Sequence, residues 1–413
     1  MVGVLLGVYL AELRFDAGQI GAIVGAGLAG AAVATLVATI GSERLGRRRL
    51  LVALSVLAAA GGIAIALPGT ALTVGSLAFL GMVNGMGRDR GAWLVTEQAI
   101  LPATTRDDER TRAFAWYNVL QDAGHACGGL LAGLPVLLRR SAGLGQVASF
   151  RAALVAYALL FLATAILYLR LSPAIERVGR GERDGGGAGD AEGAAASRDK
   201  APRSARPPLS PESRRILWRI SALFALDSLG GGFLTTALLS FFFHERFGAG
   251  VGTIGALFFG ARVANAFSHL GAAWLAKRIG LVNTMVFTHI PSSLLLVTVA
   301  FAPSFPVAAA LFLLREGLVE MDVPTRQSYV MAVVRPEERT VAAGVTHLVR
   351  MGAWAVAPSF AGLFMRGGSL ALPLIVGAGM KVVYDVLLYA AFRGQRAPEE
   401  IARAQRVEKT GAG

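Results

Sequence analysis

Cysteine and charge are both scarce in this sequence. Cys127 is the only cysteine among 413 residues, so no intramolecular disulfide can form, and the five histidines are scattered along the chain. We therefore expect neither a disulfide scaffold nor a Cys/His metal cluster, and we predict no cofactor or metal site. Charged residues make up 16% of the chain, whereas a typical soluble domain has about 25%. The composition argues against an ordinary soluble protein.

The sequence consists largely of long apolar runs. Hydrophobic residues make up 54% of the chain, and the mean hydropathy is +0.56. About 20 mostly apolar residues are needed to cross the roughly 30 Å hydrocarbon core of a bilayer. Eleven runs meet that requirement, and residues 1–13 form a fragment too short to span alone. The runs cover residues 18–40, 50–68, 71–100, 112–137, 150–171, 216–243, 250–275, 281–301, 305–333, 340–365 and 369–392.

A polar stretch divides these runs into two sets. Residues 173–214 are rich in Gly, Ala, Ser, Pro and Arg with almost nothing to bury, so we expect a disordered cytoplasmic linker. Residues 1–172 and 215–392 would then each form a six-helix bundle, followed by a cytoplasmic tail at 393–413. With the linker, the tail and alternate loops in the cytoplasm, most basic residues fall on that side. Both termini are therefore predicted to be cytoplasmic.

The net charge of +13 is also explained by basic residues that fix the orientation of membrane helices. The basic residues lie in short clusters between apolar runs, whereas a nucleic-acid site would collect them on one soluble domain. We therefore expect no nucleic-acid partner. The basic residues are almost all Arg, and Ala and Gly are abundant, which we interpret as the coding bias of a GC-rich prokaryote. The predicted location is the plasma membrane of a prokaryote.

The two halves of the sequence repeat each other. Residues 96–111 contain TEQA followed by RDDERT, and residues 325–340 contain TRQS followed by RPEERT at the same spacing. This repeat predicts an all-α polytopic membrane protein of two six-helix bundles related by a parallel repeat. Fewer residues precede Arg14 than precede its counterpart Arg246, so the first helix is expected to be truncated. A naturally short first segment is the alternative.

The loop after the run 18–40 resembles a known signature. Its sequence, GSERLGRRR at residues 41–49, is similar to the G-x-x-x-D-R-x-G-R-R motif of the major facilitator superfamily of secondary transporters. Glu43 stands in place of the Asp of the motif, and Thr39 in place of its first Gly. A degenerate copy, Lys-Arg-Ile-Gly, occupies residues 277–280. The resemblance implies two bundles that expose a central cavity alternately to each side, without ATP.

The same resemblance implies that this loop acts as a conformational latch. Glu43 and Arg44 would bridge neighbouring helix ends in only one of two conformations. The remaining residues of the latch are Gly46, Arg47 and Arg48. A plain cluster of basic residues that fixes the orientation of the helices is the alternative.

A second resemblance lies in the run 112–137. The sequence GHACGG at residues 124–129 is similar to the G-P-x-x-G-G part of the motif of drug:proton antiporters in the same superfamily. His125 replaces the Pro, and Leu120 replaces an upstream Gly. Close packing of helices through small residues explains these glycines equally well. His125 is a candidate proton carrier.

Ionisable residues deep within the runs are candidate functional residues, because a charge at the bilayer midplane costs about 3 kcal/mol. Arg88, Asp89 and Arg90 lie roughly 15–20 Å from the cytoplasmic end of their run. Asp122 lies at a similar depth in the next run, so Arg90 and Asp122 form the simplest ion pair. A static pair that only holds two helices together is the alternative.

Two faces of the helix predicted for 305–333 carry charge. One face holds residues at i, i+7 and i+11, and another holds a pair at i, i+4. The first set is Arg315, Asp322 and Arg326, and the second is Glu316 and Glu320. One of these faces is expected to line the cavity. Asp322 also lies at the depth of Arg350, so these two residues are a further candidate ion pair, again with a static role as the alternative.

Asp227 has no local partner in its apolar run. Arg262 lies at a similar depth in the following run, with Asn265 one turn along the same face. We therefore predict an ion pair between Asp227 and Arg262 that a proton or the substrate breaks. A bridge that stays closed is the alternative.

Together these features predict a secondary transporter that moves a small organic solute by alternating access, as proton-coupled efflux. The candidates for proton coupling are Asp122, Asp227, Asp322, Glu320 and His125. The candidates for the substrate cavity are Arg88, Asp89, Arg90, Arg262, Asn265, Arg315, Glu316, Arg326 and Arg350.

Other functions remain open at this point. Uptake by symport or uniport is the first alternative. A polytopic membrane enzyme is less favoured, because the sequence lacks H-E-x-x-H and G-x-S-x-G, and no catalytic residue is assigned. A sensor with a transporter fold is the third alternative. The expected partners are the solute, protons and the lipid bilayer, and the protein is expected to be a monomer.

Overall fold

The computed structural model describes residues 1–83, 85–86, 91–104, 110–172, 211–322 and 339–392. Every regular element in these ranges is a helix, so the all-α prediction is confirmed. The helices before residue 173 are α1 (Val2–Glu12), α2 (Ala17–Leu45), α3 (Arg47–Ile65), α4 (Ala71–Leu80), α5 (Ala92–Thr104), α6 (Arg110–Leu131), α7 (Leu134–Ala142) and α8 (Gln146–Leu169).

The first of the helices after residue 210 begins inside the stretch predicted as linker. They are α9 (Pro211–Gly232), α10 (Thr236–Phe247), α11 (Val251–Ile279), α12 (Leu281–Ala300), α13 (Phe305–Val319), α14 (Arg339–Gly367) and α15 (Leu372–Phe392). The rest of the predicted linker, at 173–210, and the predicted tail at 393–413 lie outside the described residues. We refer below to α1–α8 as the early helices and to α9–α15 as the late helices.

Eight stretches of the described residues are long and apolar enough to cross a membrane. Four of the eleven predicted apolar runs are interrupted within the described residues. The run 71–100 is split between α4 and α5, because Gly81 ends α4 and Met82 takes a positive φ of 52°. The run 112–137 is split at Gly133, where Pro135 lies in the first turn of α7.

Two late runs are also interrupted. The run 216–243 is split after Gly232, and Thr235 caps the new helix α10 by accepting a hydrogen bond from the Leu238 N–H at 3.3 Å. In the run 305–333, α13 already ends at Val319. These breaks place non-helical backbone inside the protein, which a bilayer tolerates only where other protein atoms satisfy the freed groups.

Two of these breaks satisfy each other's backbone groups through hydrogen bonds. The Ala237 N–H at the start of α10 donates to the Gly85 carbonyl at 2.9 Å, and the Thr236 hydroxyl donates to the Met86 carbonyl at 2.8 Å. Gly85 and Met86 belong to the break between α4 and α5. The orphan backbone groups of an early helix and a late helix are thus paired across the interface between the two sets.

The short helix α1 is fully enclosed by protein. Every residue from Val2 to Leu10 is buried, and the helix packs against α8, α10 and α11. The Tyr9 hydroxyl donates to the Ile65 carbonyl at 3.3 Å, at the C-terminus of α3. A helix that is apolar on all sides exposes no polar group that such a position would leave unsatisfied.

The early and late helices also approach each other closely where α2 meets α14. A Cβ added to Gly21 would lie 2.8 Å from the Cα of Gly362, and a Cβ added to Gly25 would lie 2.7 Å from the Ser359 hydroxyl. These contacts lie near the loops 13–16 and 368–371. Glycine lets the two backbones touch, which is a common way for membrane helices to associate.

Polar contacts occur at the same end of the molecule. His244 Nε2 lies 3.8 Å from Glu12 Oε1, and Arg366 Nη1 lies 3.8 Å from Asp16 Oδ2. In each pair one residue belongs to the early helices or their loops and the other to the late helices. We call this end of the molecule, at the loops 13–16 and 368–371, the closed end.

Gly21→Val is expected to open the closed end, because its side chain would overlap the backbone of Gly362. The reporter is Ser240→Cys, a fully buried position on α10, in a background where the exposed Cys127 is replaced by Ser. Its reaction with a membrane-impermeant maleimide should accelerate by about tenfold, which corresponds to about 1.4 kcal/mol.

The matched control is Gly352→Val on α14, where an added Cβ would meet nothing within 4 Å. This variant should label at the unmodified rate. Equal labelling of Ser240→Cys in both variants would show that the contact between α2 and α14 does not hold the closed end together.

Candidate functional site

A cavity of about 340 Å³ lies where the early and late helices meet. Most of its lining comes from the late helices, and Met86 and Leu94 are the described contributions from the early ones. Phe258, Phe312 and Trp354 give the wall an apolar, aromatic part. The volume falls within the range of about 300–1,000 Å³ that is typical of small-molecule sites.

Charged side chains of both signs line this cavity. The acidic residues are Asp227, Glu316, Glu320 and Asp322, and the basic residues are Arg262, Arg315, Arg350 and Lys381. His289 and His347 add two titratable rings. Because acids and bases occur in equal numbers, the described lining carries strong local charge but little net charge.

Four buried ionisable residues form a connected group at the wall of the cavity. Lys381 Nζ lies 2.8 Å from Asp227 Oδ1 and 3.3 Å from His289 Nε2. His289 Nδ1 lies 3.0 Å from both carboxylate oxygens of Asp385. Asp385 is fully buried behind the histidine, whereas the other three residues reach the cavity. We call these four residues the Lys381 cluster.

The contacts within this cluster join titratable groups. An ammonium group can only donate, so a Lys381 ammonium beside His289 Nε2 places the proton of a neutral ring on Nδ1, facing Asp385. Two carboxylates, an imidazole and an amine thus lie in mutual contact away from bulk water. Because buried charge is costly inside a membrane, the gain or loss of one proton would change the energy of every contact in the group.

Small residues allow the helices of the cluster to approach each other. A Cβ added to Gly230 on α9 would lie 2.9 Å from the Gly377 carbonyl on α15, which is one turn before Lys381. Lys381 and Asp385 are spaced i, i+4, so both face the same neighbours, and α15 packs against both α9 and α12. The glycines thus bring Lys381 within reach of Asp227.

The end of α13 supplies a second group of charges. Arg315 and Glu316 form an ion pair, and Glu320 and Asp322 follow within the next turn. We predicted that the arginine and glutamate sets would lie on different faces, with one of them lining the cavity. Described residues of both sets line the cavity, so the charged lining is not limited to one face. The helix ends at Val319, so the simple helical spacing no longer sets the directions of the residues beyond it.

Arg350 on α14 is held by two neighbours. Its Nε donates to the Ser228 hydroxyl at 3.2 Å, and its Cζ lies 4.8 Å from the centre of the Trp354 ring. A cation above an aromatic ring is attracted by the electrons of the ring. Asp322, its predicted partner, lines the same cavity.

Asp227 forms an ion pair with Lys381, a partner that the sequence analysis did not identify. Arg262, the predicted partner, lines the same cavity. Asn265 is only 5% exposed, and neither atom of its side-chain amide has a hydrogen-bond partner among the described residues. It does not belong to the described lining of the cavity.

Two further candidates lie away from this cavity. Asp122 on α6 has an exposed side chain, so the structure does not bury it at depth as we expected. His125 is half-buried on the same helix. Neither belongs to the described lining, which separates both residues from the Lys381 cluster.

Several predicted residues lie outside the described part of the chain. These are Arg88, Asp89, Arg90 and Arg326, and also the side chains of Glu43 and Arg44. The predicted pair of Arg90 with Asp122 therefore stays a prediction, as does the latch. Of the remaining latch residues, Gly46 takes a φ of 86° just before α3, and Arg48 in the first turn of α3 donates to the Leu169 carbonyl.

Sequence reasoning missed three members of the Lys381 cluster. His289, Lys381 and Asp385 all lie inside apolar runs, where any ionisable residue is a functional candidate. The spacing of Lys381 and Asp385 on a single helix was the signal available in the sequence. Among the described residues no group of three or more His, Cys, Asp or Glu side chains is arranged to hold a metal ion.

Lys381→Met is expected to destabilise the protein by about 3–5 kcal/mol, because it leaves the buried Asp227 carboxylate without its cation. The double variant Asp227→Asn/Lys381→Met removes both charges and should recover most of that loss. Tm values of the purified protein in detergent measure both effects. A double variant no more stable than Lys381→Met would contradict the ion pair.

Comparison with known proteins places this geometry in a family. The chain is 24% identical over 401 residues to the uncharacterized membrane protein YJR124C of Saccharomyces cerevisiae, covering 94% of this chain and 90% of that protein. The fold is similar to that of the nucleoside transporter NupG, with a TM-score of 0.68 and 16% identity over 95% of this chain and 94% of that one.

A second solved structure has the same fold. It is a bacterial homologue of the human lysosomal transporter Spinster in an inward-facing, unoccupied conformation, with a TM-score of 0.66 and 14% identity over 94% of this chain and 91% of that one. The family model described as Major Facilitator Superfamily matches residues 1–358. A buried, charged cavity between two sets of membrane helices is thus found in a chain that belongs to the Major Facilitator Superfamily.

Proposed function

We propose that this protein is a secondary active transporter that exports a small organic solute in exchange for protons. The observation that carries this proposal is the Lys381 cluster, a buried group of two carboxylates, a histidine and a lysine in contact with the cavity. Membership of a family of transporters supports the transport of a small molecule across a membrane.

The Lys381 cluster supports coupling to protons. A proton that reaches the cluster from the cavity would bind at Asp227 or at His289, which both line it. Protonation of Asp227 would weaken its ion pair with Lys381, and protonation of His289 would place two cations 3.3 Å apart. Either event changes the contacts among α9, α12 and α15, so proton binding would favour a different packing of these helices.

The shared cavity supports exchange rather than symport. Asp227, His289 and Lys381 all line the space in which a solute would bind. A solute that binds these groups competes with the proton, because both alter the same charges. Mutually exclusive binding of two ligands to one cavity gives antiport.

The contacts at the closed end support entry of the solute into the cavity from the opposite side of the membrane. The contacts of Gly21 with Gly362 and of His244 with Glu12 shut the molecule at one end. The positive-inside rule assigns that end to the outside of the cell. The cavity would then open toward the cytoplasm, where a solute destined for export is bound.

The lining favours a polar solute with charges of both signs. Four acids and four bases line the described cavity, and Trp354 and Phe312 offer flat apolar surfaces. A zwitterion with a ring or an apolar part would find partners for each of its groups. A simple inorganic ion would leave the aromatic wall unused.

Transport assays in proteoliposomes test the proton site. Thermal-shift screening of the purified protein against amino acids, nucleosides and organic anions first identifies a solute that binds. In Asp227→Asn and His289→Gln, the solute flux driven by a pH gradient should then fall at least about tenfold. Solute counterflow without a pH gradient should persist. Proton movement is followed with a pH-sensitive dye.

Glu245→Gln is the matched control, since it removes a carboxylate that is exposed and outside the described lining. This variant should keep coupled flux. Full coupled flux in Asp227→Asn and His289→Gln would refute the proton site.

The direction of transport is tested by gradient-driven flux in inside-out and right-side-out vesicles. Accumulation of solute on the cytoplasmic side would support the uptake alternative.

A further inference from the structure

A second concave surface lies on the lipid-facing side of the protein, between α3 and α8. It encloses about 800 Å³ and is lined by Arg48, Arg49, Val52, Ala53, Val56, Leu57 and Leu169. Both helices are candidate membrane spans, and this groove lies at the start of α3 and the end of α8. It shares no lining residue with the central cavity.

The groove has a basic mouth. Arg48 and Arg49 lie in the first turn of α3, where the backbone N–H groups also point outward and no acidic residue is present. Arg48 donates to the Leu169 carbonyl on α8, which fixes its position at the rim. Guanidinium groups bind phosphate oxygens through paired N–H donors, and the start of a helix adds positive potential.

The rest of the groove is apolar. Ala53 and Leu57 follow Arg49 at successive turns of α3, and Val52 and Val56 follow Arg48 in the same way. From Arg49 to Leu57 this apolar path is about 12 Å long at 1.5 Å per residue. Leu57 is 47% exposed, so the surface is open to the membrane and not filled by another described helix.

We propose that this groove binds one anionic phospholipid. The phosphate and headgroup would bind Arg48, Arg49 and the first turn of α3, and an acyl chain would lie along Ala53 and Leu57. Basic pockets between membrane helices bind anionic headgroups through this combination of charge and depth. A soluble phosphate would fill only the mouth, so the apolar path identifies a lipid as the occupant.

The bound lipid would connect the start of α3 to the end of α8. Arg48 already joins these two helix ends through the Leu169 carbonyl. A headgroup bound to both arginines would hold the start of α3 in this position. The segment just before it, residues 41–46, would thereby become sensitive to the lipid composition of the membrane.

Native mass spectrometry of the full-length protein tests this site. The protein is purified in a neutral detergent and titrated with phosphatidylglycerol or phosphatidylcholine. One phosphatidylglycerol molecule should bind at least tenfold more tightly than phosphatidylcholine. Arg48→Gln/Arg49→Gln should remove this difference, whereas Arg48→Lys/Arg49→Lys, which keeps the charge, should preserve most of it.

Two further variants locate the lipid. Ala53→Phe fills the groove but leaves the arginines in place, and it should weaken binding of phosphatidylglycerol at least tenfold. Arg139→Gln/Arg140→Gln removes a basic pair on α7, near the opposite end of α8, and should have no effect. Glycerol 3-phosphate, a headgroup without acyl chains, should not displace the lipid.

Equal binding of the two lipids, or undiminished binding of phosphatidylglycerol in Arg48→Gln/Arg49→Gln, would overturn the proposal. So would undiminished binding in Ala53→Phe, because the acyl chain would then lie elsewhere. Each variant must retain the Tm of the unmodified protein within a few degrees, and the lysine variant covers the case in which the glutamine variant fails to fold.

Discussion

Polar atoms buried in a bilayer must be satisfied by other protein atoms, and this requirement governs both the architecture and the candidate site. The clearest case is the hydrogen bond from the Ala237 N–H to the Gly85 carbonyl. It joins a broken early helix to a broken late helix, so each break supplies a partner for a backbone group of the other. The same requirement assembles the Lys381 cluster, whose members come from α9, α12 and α15.

These two features act on the protein in different ways. The paired breaks and the glycine contacts between Gly21 and Gly362 are neutral, short-range interactions that form only when the two sets of helices touch. The cluster is charged, and its energy depends on a proton. A protein that alternates between closed and open conformations can combine weak contacts at one end with a charge-sensitive group near its centre. The free energy of each then differs by only a few kcal/mol between the conformations.

Much of the fold was predictable, since apolar runs of membrane length are a strong signal. The break after Met82 was not, because it depends on partners from the distant helix α10 that satisfy the freed backbone. Of the site, Asp227, Arg262, Arg315, Glu316, Glu320, Asp322 and Arg350 were identified as ionisable residues at depth, and all line one cavity. Lys381 was missed as the partner of Asp227, since the two residues are far apart in the sequence and meet only through the packing of α9 on α15.

The enclosure of α1 has a consequence for biogenesis. Its residues from Val2 to Leu10 contact α8, α10 and α11 rather than lipid, yet α10 and α11 are synthesised long after it. Until those helices emerge from the ribosome, this apolar segment has no permanent neighbours on those sides. Its packing is therefore completed only when the late helices dock against it, so a part of the chain that was made early reaches its final environment last.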